Sequence, residues 1–463
     1  MSKKTKIICT IGPASESKSV LKRMYAAGMN AGRLNTAHDT FREYNRRVRN
    51  IRSVADIPII VDVKGPEVRI DCDKEVGLTK GDVFTVGFGK SDPIRLNRKI
   101  YSQVRKDDTL MIADGMIKTR VVKKADGRLR LKCETKNCVI GKSKGVNIPD
   151  KRLKVPLLSE KDEKAIEFAI KNRIDYIALS FTRDKRDLDH LKEHLGKAEI
   201  GVIAKIENKD GVENIREIID HSDGVMVARG DLGVELPSER IPIIQKRIID
   251  MCNRRGKISI VATEMLHSMT ENPRPTRAET SDVANAILDG ADAVMLSSES
   301  AMGRYPMESV RVMSRIAREI EEFVPTKRLS YAKNNVSLAI ANAVNTVINS
   351  IEVDKIIVLT KSGYTARLIS NFKTDIDLIA ITEDRRVRRK LELVYGVKPV
   401  YHNYFPEKNR IKAVAEYCLD RKMVGKDDIV LFTAGVYTQT PSTNMVELHK
   451  ISEILKYHKD HRY

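Results

Sequence analysis

The residues with the clearest chemical potential lie in two short segments in the middle of the 463-residue chain. In Ala204–Asn208 (AKIEN), strand geometry places Lys205 and Glu207 on one face and Ile206 on the other. Asp231 follows in the segment RGDLG. Two carboxylates with few other protein ligands suit Mg²⁺, which keeps water and substrate oxygens in its shell. Lys205 beside them would stabilise oxyanions, although an internal ion pair is the alternative interpretation.

Other polar side chains stand where apolar strands are predicted to end. Burying such groups is costly unless they are paired or functional. The glycines of RGDLG would let a ligand approach the backbone closely, and Thr263 could donate to a carboxylate or relay a proton. A plain turn and a satisfied strand-end hydroxyl are the respective alternatives. The remaining groups of this kind are Arg33, Asn35, Asp62, Lys64, Arg229, Ser297 and Glu299.

Three further segments carry residues suited to phosphate. Arg69 follows a Gly-Pro hinge and could contact a phosphate, or could be a surface arginine in a loop. Gly141–Gly145 (GKSKG) is a basic, glycine-rich loop that lacks the spacing of a P-loop. Thr360–Thr365 (TKSGYT) follows an apolar strand and opens a helix, which is typical of a phosphate-binding turn and equally of an ordinary N-cap.

The elements that must position these residues are eight short apolar runs that alternate with helical patterns. Apolar strands of this kind indicate a parallel sheet buried on both faces, and eight strands close a (β/α)8 TIM barrel. A gap of about 110 residues between the third and fourth runs is far longer than an ordinary connection, and its turn-rich strands predict an inserted β-domain. An α/β pattern restarts after the barrel. The predicted domains are residues 1–65 with 156–325, residues 66–155, and residues 326–463.

Composition narrows the class of protein. The formal net charge is +20, and the segment 66–155 alone carries 22 Lys/Arg against 12 Asp/Glu. Such basicity fits anionic small molecules, a solvated surface or RNA, but aromatic residues are only 5% and Trp is absent, which weakens the RNA alternative. Six scattered cysteines without a CxxC pair, no signal-peptide pattern and no membrane-length apolar run predict a reducing, cytoplasmic setting without membrane partners.

Taken in order, these residues resemble the pyruvate kinase family over nearly the whole chain. The resemblance implies a TIM barrel, an inserted β-barrel lid and a C-terminal α/β (Rossmann-like) effector domain, usually assembled as a homotetramer. It implies the last step of glycolysis, transfer of the phosphoryl group of phosphoenolpyruvate to ADP to give pyruvate and ATP through a metal-stabilised enolpyruvate intermediate. The matching stretches are TKIICTIGPAS, AGRLNTAH, DVKGPEVR, SKGVNIP, AKIEN, DGVMVARGDLGVELP, ATEMLHSM, NPRPTRAETSDVANAILDGADAVMLSSESAMGRYP and VLTKSG.

The resemblance also implies roles for individual residues. Lys205 looks like the lysine that stabilises the phosphoryl group and the enolate, and Arg33 like the arginine on the phosphoryl group. Glu207 and Asp231 look like ligands of Mg²⁺ (or Mn²⁺). The substrate carboxylate would meet Gly230, Asp231 and Thr263, and Thr263 with Ser297 would relay the proton to carbon. Nucleotide phosphates would meet Asn35, His38, Arg69 and Lys144.

The sequence departs from the family's pattern at two positions of its monovalent-cation site, Ala37 and Val63. Members that need K⁺ usually have Ser where Ala37 stands and Thr where Val63 stands. Only Asn35, Asp62 and the Val63 carbonyl remain to hold such an ion, so weak or no activation by K⁺ is expected. In the C-terminal domain, Thr360, Ser362, Gly363 and Thr365 match a loop that holds an effector phosphate.

The segment from Thr433 lacks the family's Trp-Arg element, which leaves AMP or another phosphate ester in preference to fructose 1,6-bisphosphate. Two alternatives to the family's function remain open at this point. One is another metal-dependent barrel enzyme acting on phosphoenolpyruvate or pyruvate, and the other is an RNA- or anion-binding module.

Overall fold

The structure is a computed structural model that describes residues 3–36, 39–89, 91–113, 115–142, 144–149, 151, 153–327, 329, 335–403, 405, 409–435 and 443–456. Among these residues, none of the helices has the length and apolar character needed to cross a membrane.

The chain begins with two βα units and a third strand. Thr40 caps the second helix through a reciprocal capping box with Glu43, which fixes where that helix starts. Gly28 ends the first helix in the left-handed conformation, with φ of 118°. The elements are β1 (Lys6–Thr10), α1 (Lys18–Ala27), β2 (Ala31–Asn35), α2 (Phe41–Val54) and β3 (Ile59–Val63).

The segment after β3 leaves the barrel and forms a separate β-structure with its own apolar core. Its strands alternate between buried and exposed residues, as antiparallel sheets with one solvated face do. They are β4 (Arg69–Cys72), β5 (Val76–Leu78), β6 (Val83–Val86), β7 (Ile94–Leu96), β8 (Thr109–Ile112), β9 (Ile117–Ala125), β10 (Arg128–Cys133), β11 (Cys138–Ile140) and β12 (Lys144–Asn147).

Seven of these strands form one antiparallel sheet in the order β6-β10-β9-β8-β12-β4-β7, and β11 pairs with β5. The two edge strands of the seven-stranded sheet meet around Gly87, which donates its N–H to Ile94 O at 2.9 Å and accepts the N–H of Leu96 at 3.0 Å. This contact gives the sheet a barrel-like closure and confirms the predicted β-rich insertion.

The chain then returns to complete the barrel. The helices and strands are α3 (Glu160–Lys171), β13 (Tyr176–Leu179), α4 (Lys185–Leu195), β14 (Gly201–Ile206), α5 (Lys209–Glu213), α6 (Ile215–His221), β15 (Gly224–Ala228), α7 (Arg229–Glu235), α8 (Ile241–Asn253), β16 (Ile258–Ala262), α9 (Arg277–Leu288), β17 (Ala293–Leu296), α10 (Ser298–Ala301) and α11 (Pro306–Glu321). The parallel order β1-β17-β16-β15-β14-β13-β3-β2 closes on itself, which confirms the predicted TIM barrel.

The C-terminal part is an α/β layer with the strand order β20-β19-β18-β21-β22, in which only β22 runs antiparallel to its neighbour. The long helix predicted from Pro406 begins at Arg410, and Pro406 itself lies outside the described residues. The elements are α12 (Val336–Ile348), β18 (Lys355–Leu359), α13 (Tyr364–Ser370), β19 (Asp377–Thr382), α14 (Arg385–Leu391), β20 (Val397–Tyr401), α15 (Arg410–Asp420), β21 (Ile429–Ala434), β22 (Met445–Lys450) and α16 (Ile451–Lys456).

The C-terminal layer packs against the amino ends of the barrel strands. Side chains inside the barrel, such as Ile60 and Ile260, belong to the same apolar cluster as Phe372 of the C-terminal layer. Asp292, just before β17, forms a fully buried ion pair with Lys373 at 2.9 Å. The barrel is therefore closed at this end, and the carboxyl ends of its strands are left for a site.

Candidate active site

A buried ionic network lies at the carboxyl ends of β2, β3 and β14. The Asp62 Oδ2 atom lies 2.8 Å from Arg33 Nε, 2.6 Å from the second guanidinium nitrogen and 3.3 Å from Lys205 Nζ. All three side chains are at least nine-tenths buried. Arg33 also donates to Thr10 Oγ1 at 2.9 Å, so its guanidinium is fixed from two sides. One carboxylate thus holds two cations beside each other.

Lys205 has two further partners. Its Nζ lies 2.7 Å from Ser180 Oγ and 2.8 Å from Glu207 Oε1. Burial by itself lowers the pKa of Lys205, but the charges of Asp62 and Glu207 outweigh it and raise the pKa well above its ordinary value. Lys205 therefore carries a fixed positive charge at the barrel mouth.

Asp62 shows the opposite balance. Burial by itself raises the pKa of Asp62, yet Arg33 and Lys205, together with hydrogen bonds from Arg33 and Ser180, hold that pKa below its ordinary value. The carboxylate is consequently charged at neutral pH, and both of its oxygens are engaged by neighbouring donors.

The two carboxylates predicted to hold a divalent cation stand on neighbouring elements. Glu207 follows β14, is 1% exposed, and accepts the Phe181 N–H on Oε2 at 2.7 Å. Asp231 lies in the first turn of α7, and its charge raises the pKa of Lys205. Hard carboxylate oxygens fit Mg²⁺ or Mn²⁺. No larger group of His, Cys, Asp or Glu able to hold a metal occurs in the part of the chain that the structure describes.

Thr263 stands in a strained position just after β16. Its φ is 66°, in the left-handed region that threonine rarely adopts. The hydroxyl donates to Ala262 O at 2.6 Å and accepts the Gly230 N–H at 2.8 Å. Arg229 holds the Thr263 carbonyl at 2.8 Å. The predicted strand-end hydroxyl is therefore satisfied, and it ties the start of α7 to the end of β16.

Ser297 is positioned by a buried carboxylate. Its backbone N–H donates to Glu299 Oε2 at 2.8 Å, and the other oxygen of Glu299 accepts the Leu266 N–H at 3.1 Å. Glu299 is 1% exposed, so it bridges the ends of β16 and β17 from inside. These hydrogen bonds hold the segment that carries Ser297 beside the segment that carries Thr263.

The residues assigned to a nucleotide are divided between the barrel and the insertion. Asn35 is the half-buried last residue of β2. Arg69 pairs with Glu67 at 2.7 Å, and Gly145, next to Lys144 on β12, lies in register with Arg69 on β4. Lys144 is exposed. His38 lies outside the described residues.

A cleft separates the insertion from the barrel. Glu235 at the end of α7 spans it by accepting Asn147 Nδ2 and the Lys209 N–H, each at 3.1 Å. Burial raises the pKa of Glu67 on the insertion side, although Arg69 acts against it. Other residues lining the cleft are Pro66, Val68, Val146, Phe181, Arg183 and Asn208.

The oxygens proposed for a monovalent cation already have partners. The carboxylate of Asp62 is shared by Arg33 and Lys205, as described above. The Val63 carbonyl accepts the Ser180 N–H at 3.0 Å, and the Asp62 carbonyl accepts Thr36 Oγ1 at 2.7 Å. Ala37 lies outside the described residues.

The predicted effector turn precedes α13. Gly363 has φ of 76° and donates its N–H to Thr360 Oγ1 at 2.9 Å, while the Tyr364 N–H lies 3.4 Å from Ser362 Oγ. Thr365 is 3% exposed and shares a hydrogen bond of 2.7 Å with Thr443. Two N–H groups of the turn are thus directed at its own hydroxyls, although the cap residue Gly363 makes no side-chain cap hydrogen bond.

Two residues of the site were missed by reasoning from sequence. Ser180 directly follows the fourth barrel strand, β13, and its hydroxyl donates to Asp62 Oδ1 at 3.0 Å as well as contacting Lys205. Thr10 ends the first strand and contacts Arg33. The signal was available, because each is a hydroxyl at a strand's carboxyl end.

A closed (β/α)8 barrel that carries buried cations at its open end, beside an inserted β-structure and a cleft, belongs to the large class of barrel enzymes. Comparison with known proteins narrows this class. The family model described as pyruvate kinase, barrel domain, matches residues 2–310, and the one described as pyruvate kinase, alpha/beta domain, matches residues 338–449. The chain belongs to the pyruvate kinase family, and its activity is the phosphoryl transfer after which that family is named.

Named relatives agree with this assignment. The chain is 39% identical to a pyruvate kinase of Bacillus licheniformis over 476 residues, covering 98% of this chain and 81% of the relative. It is also 39% identical to the pyruvate kinase of Staphylococcus aureus strain USA300 over 475 residues, covering 97% and 81%. Family membership favours the predicted enzyme over an RNA- or anion-binding module.

Proposed function

We propose that Arg33 and Lys205 receive the phosphoryl group of phosphoenolpyruvate as it passes to ADP, leaving pyruvate and ATP. Phosphoryl transfer depends mainly on positioning and on neutralising the charge of the equatorial oxygens. The observation that carries the proposal is the single carboxylate of Asp62, which holds both cations at the open end of the barrel. Lys205 also faces the enolate oxygen that remains, and stabilises it electrostatically.

Glu207 and Asp231 are proposed to hold Mg²⁺ or Mn²⁺. When bound, the metal supplies charge neutralisation and polarises substrate oxygens. The fit rests on two hard carboxylates on adjacent elements, one of which is fully buried. Because Glu207 also pairs with Lys205 at 2.8 Å, the proposed cation site lies directly beside the lysine.

The substrate carboxylate is proposed to lie at the start of α7. Backbone N–H groups of Gly230 and Asp231 at a helix start favour an anion, and Thr263 Oγ1 already contacts the Gly230 N–H at 2.8 Å. A substrate oxygen that accepted from Gly230 would release the Thr263 hydroxyl from this contact. Thr263 and Ser297 are then placed to move a proton toward the enolate carbon.

The nucleotide is proposed to occupy the cleft between barrel and insertion. Asn35 and His38 would serve it from the barrel, and Arg69 and Lys144 from β4 and β12. The insertion, proposed as residues 66–155, would act as a lid that excludes water and so prevents hydrolysis of the phosphoryl donor. We assign residues 1–65 with 156–325 to the catalytic barrel and residues 326–463 to the C-terminal domain.

Three further properties are proposed from the family's pattern. Activation by K⁺ through Asn35, Asp62 and Val63 is weak or absent. A phosphate ester binds at the turn of Thr360, Ser362, Gly363 and Thr365 and shifts the substrate saturation curve. The chain assembles as a homotetramer, which light scattering on the purified protein tests directly.

The central experiment is a coupled assay for pyruvate from phosphoenolpyruvate, ADP and Mg²⁺. Glu207→Gln is expected to weaken Mn²⁺ binding by about tenfold or more, because a neutral amide replaces a charged ligand. Electron paramagnetic resonance of free Mn²⁺ reads this without reference to turnover. Glu239→Gln, at an exposed carboxylate, is the matched control. Equal Mn²⁺ affinity in both variants would contradict the assignment of Glu207 as a metal ligand.

A further inference from the structure

Two cysteines of the insertion lie side by side. Cys133 is the last residue of β10, and Cys138 is the first residue of β11. Their Sγ atoms are 3.6 Å apart, and both are free thiols. The remaining four cysteines, at 9, 72, 252 and 418, are buried. The five-residue spacing gives no CxxC pattern, so this proximity was not visible in the sequence.

The turn between the two cysteines is held in place by the neighbouring strand β9. The Lys118 N–H donates to Thr135 Oγ1 at 2.9 Å, and Arg120 Nε contacts Glu134 Oε1 at 2.7 Å. Asn137 takes the left-handed conformation, with φ of 47°, which asparagine tolerates better than most residues. The close approach of the sulfurs is thus a property of the folded sheet and its turn.

The two thiols differ in accessibility. Cys133 is fully buried and contacts the Thr135 carbonyl at 3.2 Å, whereas Cys138 is half-buried. Burial, followed by the neighbouring Cys133 thiol, raises the pKa of Cys138 to about 11. The thiolate is the reactive form, so Cys138 reacts slowly at neutral pH.

We propose that Cys133 and Cys138 are a modification site that forms a reversible intramolecular disulfide with a low-molecular-weight disulfide as oxidant. The Cys138 thiolate attacks one sulfur of the small disulfide, which breaks its S–S bond and releases one small thiol. The Cys133 thiolate then attacks Cys138 Sγ, breaks the mixed disulfide and releases the second small thiol. The protein dithiol is oxidised, the small disulfide is reduced to two thiols, and the two cysteine protons pass to the released thiolates.

The sulfurs already stand 3.6 Å apart, against about 2.05 Å in a disulfide, so the thiols have little distance left to close. The bond would join the last residue of β10, in the seven-stranded sheet, to the two-stranded sheet of β11 and β5. Neither cysteine belongs to the ionic network at the barrel mouth. The disulfide therefore acts as a covalent brace within the insertion.

The test uses the full-length chain in its native state, incubated with glutathione disulfide for hours, the timescale of uncatalysed exchange. The protein is then denatured and alkylated without reduction. We expect four alkylated cysteines in place of six, with no glutathione attached. Trypsin cleaves after Lys136, so Cys133–Lys136 (CETK) and Asn137–Lys142 (NCVIGK) should appear as one disulfide-linked pair.

Three variants make the result specific. Cys133→Ser should leave Cys138 as a stable mixed disulfide with glutathione, and Cys138→Ser should leave the buried Cys133 unmodified. Cys72→Ser, at a buried cysteine of the same insertion, should form the linked peptides as the parent does. Glutathione retained on Cys138 in the parent chain, linkage to another cysteine, or linkage only after denaturation would each overturn the proposal.

Discussion

The ammonium group of Lys205 lies 2.8 Å from a carboxylate oxygen of Glu207, so the proposed catalytic cation and a proposed metal ligand hold each other in place. The two residues are separated by one position of the same segment and share one face of it. Removing either side chain therefore alters the environment of the other. Variants at this pair have to be compared through both turnover and metal binding.

Replacing Lys205 with methionine should lower kcat by at least about 100-fold, because a preorganised charge at the transferring group is lost. Asp62 keeps its ion pair with Arg33 at 2.6 Å, so the fold should survive. The coupled pyruvate assay and circular dichroism measure the two effects. Lys197→Met, at an exposed lysine, is the control and should leave both unchanged. Substantial activity in a folded Lys205→Met protein would sink the assignment.

Ser180→Ala should lower kcat by roughly ten- to a hundredfold, since a hydrogen bond to a charged group contributes about 1.5–3 kcal/mol. The Ser180 hydroxyl lies between Lys205 Nζ and Asp62 Oδ1 and so sets where the ammonium points. KM for phosphoenolpyruvate should change less than kcat, and Ser180→Thr should restore part of the loss. Ser309→Ala, at a buried hydroxyl that donates to Tyr305 O, controls for the cavity. A change confined to KM contradicts this positioning role.

The stability contributed by Asp62 should depend on pH with a definite sign. Its pKa is lowered in the folded chain, so its contribution is present above the unfolded pKa of about 3.9 and is lost as pH falls through the folded value. Asp62→Asn should therefore lower the urea midpoint at pH 7, by an amount corresponding to roughly 3–5 kcal/mol.

The difference between Asp62→Asn and the parent should shrink as the pH is lowered below about 4. Asp375→Asn is the control, because that carboxylate is 80% exposed and pairs only loosely with Lys4 at 3.2 Å. Circular dichroism in urea at several pH values gives the midpoints. A difference that stays constant or grows toward low pH would contradict the lowered pKa.

Adding KCl to a potassium-free assay should leave the rate nearly unchanged. Ala37 and Val63 supply no side-chain oxygen, and the Asp62 carboxylate is shared by Arg33 and Lys205, so few oxygens remain to coordinate K⁺. Tetramethylammonium chloride at the same concentration keeps the ionic strength constant and serves as the control. A large increase specific to K⁺ would refute the expectation.

The sequence predicted the fold well because its strongest signals are local. Eight apolar runs and their helices could be read directly, and the period of a strand correctly placed Lys205 and Glu207 on one face. The pairing of Asp62 with Lys205 could not be read in this way. These residues are 143 positions apart, and their contact depends on β3, β13 and β14 standing side by side in the closed barrel.

Contacts between residues on different strands, or across a turn, were the hardest to predict from the sequence. The position of Ser180 just after a strand could be read from the sequence, but its contacts with Asp62 and Lys205, which lie on other strands, could not. Cys133 and Cys138 meet only because a turn with a left-handed Asn137 folds one strand end onto the next strand. Neither relationship leaves a periodic trace in the chain. The roles of the individual site residues stay predictions.

The apolar cluster shared by the barrel and the C-terminal layer has a consequence for how this enzyme can be divided. Ile60 and Ile260 inside the barrel and Phe372 of the C-terminal layer are all buried together. The C-terminal layer thus closes the amino-terminal end of the barrel, and a chain cut after α11 would open the barrel interior to water. The same truncation would remove Lys373 and leave the buried carboxylate of Asp292 without its partner. A truncated catalytic fragment should therefore aggregate, and any shift of the C-terminal layer must repack the base of the catalytic barrel.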